Sequence, residues 1–128
     1  MTIRSANPAV LPTPRAHLTV PLADKPVAID FKLVNGTADH ASAVPATVVV
    51  VDQGGAAVGG SIQWLAGNVL RWNCEGFKRG GYKVRLRGNG QNALKSTAGK
   101  PLDGEATAQW PTGNGNPGGD FAFDFTVS

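Results

Sequence analysis

Two runs near the end of the chain constrain the fold most. Gly80-Gly81-Tyr82-Lys83-Val84-Arg85-Leu86-Arg87 alternates apolar and basic residues, and Asp120-Phe121-Ala122-Phe123-Asp124-Phe125-Thr126-Val127 alternates aromatic and small or polar ones. Side chains of an extended strand point to opposite faces in turn, so each run predicts a strand with one buried face. Tyr82, Val84 and Leu86 face inward, as do Phe121, Phe123, Phe125 and Val127. Lys83, Arg85 and Arg87 face outward. A long Gly/Pro/Asn-rich segment separates the two runs.

The rest of the chain supplies more short strands. Val27-Ala28-Ile29-Asp30-Phe31-Lys32-Leu33-Val34 places Val27, Ile29, Phe31 and Leu33 on one face. Ala46-Thr47-Val48-Val49-Val50-Val51 is continuously apolar, which predicts a strand buried on both faces or in a central position. Ser61-Ile62-Gln63-Trp64-Leu65 and Val69-Leu70-Arg71-Trp72-Asn73-Cys74 flank Ala66-Gly67-Asn68 and predict a hairpin. Leu70, Trp72 and Cys74 share a face, which marks Cys74 as a packed residue rather than a nucleophile. Ala93-Leu94-Lys95 and Ala106-Thr107-Ala108-Gln109-Trp110 are two further short candidates inside the long loop.

With 17 glycines, 9 prolines and few charges over 128 residues, the composition suits many short strands joined by turns. No useful length carries helical periodicity. The expected class is therefore all-β: an immunoglobulin-like β-sandwich of about seven antiparallel strands, with the Gly/Pro-rich loop before the last. Tyr82, just after Gly80-Gly81, fits the tyrosine corner of that fold. A closed barrel is the structural competitor.

Residues 1–26 carry five of the prolines and form a distinct segment ahead of a sandwich at 27–128. Within it only His17-Leu18-Thr19-Val20 reads as a strand. Proline cannot donate to a ladder, so the segment is expected along a sheet edge or docked on a neighbour. Removing residues 1–14 is expected to leave the sandwich folded.

With these residues in place, the chain resembles a bacterial immunoglobulin-like domain of the type found in surface-layer and other large exported proteins. The resemblance covers roughly 27–127. It rests on Ile29-Asp30-Phe31, Val58-Gly59-Gly60-Ser61-Ile62 and the 80–86 strand. Its most specific part is Gly99-Lys100-Pro101-Leu102-Asp103-Gly104 followed by 113–121. It implies a spacer, adhesion or accessory role without catalysis. Members often carry Asp-x-x-Gly-Asn before Pro-Leu-Asp, where this chain has Ser96 and Lys100.

The chemistry readable from residue types is sparse. Asp103, Glu105 and Asp120 are the acids of the long loop and the best oxygen-ligand set for calcium. Their spacing is not that of an EF-hand, and turn-forming roles explain them equally well. His17, His40 and Cys74 show no zinc spacing. No Gly-x-Ser-x-Gly elbow is present, and Gly113–Gly119 leads into a strand, not a helix. Neither an enzyme nor a cofactor is expected, and no catalytic residue or resident metal site is expected.

Two binding alternatives remain. Lys78, Arg79, Lys83, Arg85 and Arg87 would form a basic strand face for a polyanion, although Asp124 on the adjacent strand argues for an ordinary solvated face and against nucleic acid. Trp64 and Trp110, if exposed together, would form a polysaccharide-stacking platform. The expected partners are other proteins of an assembly or parent chain. No apolar run is long enough to span a membrane. The first residues lack an apolar signal core, so the expected setting is a larger exported protein, the cell surface or a virion.

Overall fold

A computed structural model describes residues 1–10, 12–13, 16–74 and 76–128. These form eight strands in two four-stranded sheets. In chain order they are β1 (Thr2–Asn7), β2 (His17–Val20), β3 (Ala28–Val34), β4 (Val48–Asp52), β5 (Ser61–Leu65), β6 (Val69–Asn73), β7 (Gly80–Leu86) and β8 (Phe121–Val127). One sheet runs β1-β3-β6-β5 and the other β2-β8-β7-β4. The result is the expected immunoglobulin-like sandwich, with one strand more than the sequence suggests.

The alternating runs behave as their period demands. β8 buries Phe121, Phe123, Phe125 and Val127, and β7 buries Tyr82, Val84 and Leu86. They pair antiparallel from Gly80↔Val127 to Leu86↔Phe121. The facing sheet contributes Ile29, Phe31, Leu33, Leu70 and Trp72. Full burial of one large apolar side chain contributes about 2 kcal/mol, so this double layer is the main stabilising element. Phe123 is buried as its parity requires, and its aromatic neighbours are Phe121 and Phe125 at 6.0 and 6.4 Å. Phe31 of the facing sheet meets Phe121 edge-on.

Within the N-terminal residues His17–Val20 is the expected strand and the segment lies along sheet edges, but Thr2–Asn7 departs from the sequence reading. Thr2–Asn7 pairs with β3, with a bulge between Ile3 and Ser5, and Ile3 is fully buried. By His17 the chain has changed sheets: β2 pairs with β8, and it does so parallel, unlike every other strand pair among the described residues. The first 26 residues thus supply an edge strand to each sheet. A run with one large apolar residue and a bulge leaves no clean alternation to read.

Two further expectations are corrected. β4 is an edge strand, not a central one. Val48 and Val50 face the core while Val49 and Val51 are only half-buried, and a four-valine run reads alike in both settings. Its outer edge is covered locally, by Val58 N–H donating to the Val50 carbonyl and Asp52 N–H to that of Ala56. Val27 precedes β3 and is 69% exposed rather than inward-facing.

The long segment 88–119 contains no full strand, only isolated bridges at Ala38↔Ser96 and Lys95↔Pro101. It is nevertheless packed. Leu94 and Leu102 are fully buried, and Leu102 N–H donates to the Leu94 carbonyl.

Candidate functional site

The acids of the long loop are the natural place to look for chemistry. Asp103 is 7% exposed and sits at the centre of a set of short loops. Its Oδ1 accepts from the Asn114 N–H at 3.1 Å and its Oδ2 from the Gly115 N–H at 3.0 Å. Its own N–H donates to the Met1 carbonyl, and its carbonyl accepts from the Thr112 hydroxyl at 3.0 Å. That hydroxyl oxygen in turn accepts from the Ile3 N–H at 2.9 Å. Backbone groups of Asp103, with Thr112, therefore tie the loop to the start of the chain, and residues 114–115 are held by the carboxylate. Gly113 makes room for it: with φ +118, a Cβ there would lie 2.8 Å from Asp103 Oδ2.

Asp120 plays the same part at the other end of the loop. Its Oδ1 accepts from the N–H groups of Gly88 and Asn89 at 2.8 and 3.1 Å, and its Oδ2 from Arg85 Nη1 at 3.1 Å. Glu105 bonds the Asn114 side-chain amide. Of the three carboxylates read as a calcium set, Asp103 and Glu105 thus both accept from Asn114, while Asp120 serves a separate cluster of donors. Among the described residues no three His, Cys, Asp or Glu side chains gather to hold a metal ion.

Tyr82 forms the corner that its position suggests. Its hydroxyl accepts from the Lys78 N–H at 2.9 Å and lies 3.2 Å from the Lys78 carbonyl, to which it donates. The ring packs on Phe77 and Phe125 at 4.7 and 5.2 Å.

The basic residues divide. Lys83 and Arg85 point outward from the middle of their sheet and are exposed. Lys83 stands opposite Asp124 in the ladder, and Arg85 pairs with Asp120. Lys78 and Arg79 are exposed on the loop before β7. Arg87 lies just beyond the strand, half-buried, with its Nε enclosed and unpartnered among the described residues. The face carries both signs of charge rather than an uninterrupted basic stripe.

The two candidate sugar-stacking tryptophans do not form an exposed pair. Trp64 points inward from β5 and its indole is stacked on His40, with ring centroids 4.2 Å apart and planes 7° from parallel. Trp110 packs on Phe121 at 5.6 Å. Both rings are half-buried against the core.

Cys74 is half-buried against the core, and burial pushes its thiol pKa up. It borders an open groove of about 660 Å³ with Val58, Gly59, Gly60, Ser61 and Asn73. One feature has no signature in the sequence: the bidentate pair of Arg71 with Asp30, at 2.8 and 2.9 Å on the outer face of the first sheet. The Asp30 carboxylate raises the Arg71 pKa further, first through the hydrogen bond and then by charge.

No protein-family model and no curated protein matches the chain. Solved structures do match. CopC from Methylosinus trichosporium OB3b superposes with a TM-score of 0.59 at 16% identity, covering 100% of this chain and 94% of that one. PcoC, a copper resistance protein from Escherichia coli, gives 0.58 at 13% identity and 98% coverage of both chains. The N-terminal part of the bacterial S-layer protein SbsC gives 0.52 at 15% identity, covering 98% of this chain and 23% of that one. At these identities the likeness establishes the β-sandwich fold.

Imidazole, thiolate and thioether are the donors that suit copper. Here His17 lies on β2 within 3.3 Å of the Thr126 hydroxyl, His40 is stacked on Trp64, and Cys74 follows β6. The single methionine, Met1, packs against the core. These donors stand in separate parts of the fold and do not compose a ligand set.

Proposed function

We propose that the chain is a non-catalytic structural or interaction module of a bacterial cell-surface, secreted or periplasmic assembly. One observation carries this reading. The polar side chains drawn into the long loop and the tyrosine corner are engaged by the chain's own backbone: Asp103 by two amides, Asp120 by two, Tyr82 by both groups of Lys78. A carboxylate whose two oxygens both accept from fixed donors has less free acceptor capacity to offer an added ligand. The outward strand positions, by contrast, are open to a partner. Sharing a fold with part of an S-layer protein is compatible with membership of a larger surface chain.

Site-specific photo-cross-linking tests this. A photoreactive residue replaces Gln63 on the first sheet, Lys83 on the second, or Glu105 on the loop, in the native cell. The reading predicts defined protein adducts from position 63 or 83. Adducts confined to position 105, or products of small-molecule turnover by the purified chain, would contradict it.

A further inference from the structure

Four strands lie at sheet edges, and three of them are protected. β4 is covered by residues 56–58. β1 carries a bulge, and both backbone groups of its Ile3 bond Thr112. β2 is four residues long and ends at Pro21. Such coverings, bulges and prolines are the usual means of blocking edge-to-edge association.

β5 has no bulge, no proline and no hydrogen-bonded backbone cover among the described residues, although the His40 ring stacks on Trp64. Ser61-Ile62-Gln63-Trp64-Leu65 also holds no charge. Its free backbone groups follow from parity. Leu33 N–H donates to the Asn68 carbonyl and Cys74 N–H to that of Val27, so the even residues of β6 bond β3 and the odd ones bond β5. In the β5·β6 register Ser61, Gln63 and Leu65 then face β6. Ile62 and Trp64 turn their N–H and C=O groups to the open edge, where no described backbone group meets them.

We infer that β5 is a self-pairing edge that joins two copies of this chain through an antiparallel β5–β5 ladder on a two-fold axis at Gln63. This rests on reading the chain as an interaction module and names one partner. A two-fold axis makes the strand its own complement. Centred on Gln63, it sets Ile62 opposite Trp64 of the second copy, and all the free groups of both residues pair. Ser61 meets Leu65, and Gln63 meets its own equivalent, so no like charges oppose. A strand bearing a lysine or an acid at its centre could not pair with itself this way. The contact adds a strand to an existing sheet, which is how extended segments are commonly captured.

The test uses the whole chain in sedimentation velocity from low to high micromolar concentration. Gln63 is exposed, so its substitution leaves the core intact. Wild type should dimerise. Gln63→Lys and Gln63→Glu should each weaken the dimer by about fivefold, through like charges opposed on the axis. An equimolar mixture of the two should restore it, because opposite charges then meet. A monomeric wild type overturns the inference, as does a dimer that neither substitution weakens. A monomer that still gives cross-links to another protein from position 63 also overturns self-pairing, while the interaction-module reading stands.

Discussion

The Tyr82 hydroxyl closes on the backbone of Lys78, accepting from its N–H and donating to its carbonyl. This fixes the loop that leads into β7 and, through it, the register of the strand that carries Lys83 and Arg85. Tyr82→Phe should cost about 1–2 kcal/mol, because two partly buried backbone groups lose their partner while the ring packing persists. Thermal unfolding measures it. An unchanged melting temperature would show that the corner does not hold the loop.

Gly60 is the point where the chain passes over Trp72. A Cβ built at Gly60 would fall 2.2 Å from the indole, which is fully enclosed in the core. Gly60→Ala should destabilise by about 1–3 kcal/mol through overpacking and shift the tryptophan emission as the ring moves. Unaltered emission and stability would mean that the strand entrance yields without disturbing Trp72.

Removing residues 1–7 should destabilise the domain by more than about 3 kcal/mol. The deletion takes away the buried Ile3 and the β1 ladder and bares the edge of β3. Chemical denaturation checks this. A truncated chain as stable as the full one would reinstate the N-terminal residues as a docking arm.

Cys74 should react more slowly with a disulfide reagent in the folded chain than in the unfolded one at mildly alkaline pH. Burial disfavours the thiolate, which is the reactive form. The sign for stability follows. The folded thiol pKa is raised, so its contribution is present below the unfolded thiol's range and is lost as pH rises through the folded one. Equal reaction rates would place the sulfur in open solvent.

What the sequence made legible depends on how local the signal is. β7 and β8 could be read because burial on one face imposes a strict two-residue period on Tyr82, Val84 and Leu86 and on Phe121, Phe123 and Phe125. Tyr82 could be assigned because its corner partner is four residues away. β4 reads as central in the sequence because its edge position is set by which strands flank it, and four valines do not encode that. β1 is not legible because a bulge breaks the alternation around its one large apolar residue, Ile3. The roles of Asp103 and Asp120 depend on amides 11 to 12 and 31 to 32 residues away. Residue type alone makes them resemble ligands, and only the folded loop shows which donors they meet.

The account turns on whether the interior acids hold the fold or hold a ligand, and Asp103 decides between these most directly. Thermal unfolding of wild type and Asp103→Ala, each with and without millimolar Ca²⁺ or micromolar Cu²⁺, measures it. A ligand bound only by the folded chain would raise its melting temperature. The account predicts a wild-type melting temperature that neither ion raises. It also predicts that Asp103→Ala is about 1–3 kcal/mol less stable in every condition, since the Asn114 and Gly115 amides lose their acceptor. A rise of several degrees with either ion in wild type, abolished by Asp103→Ala, would contradict it.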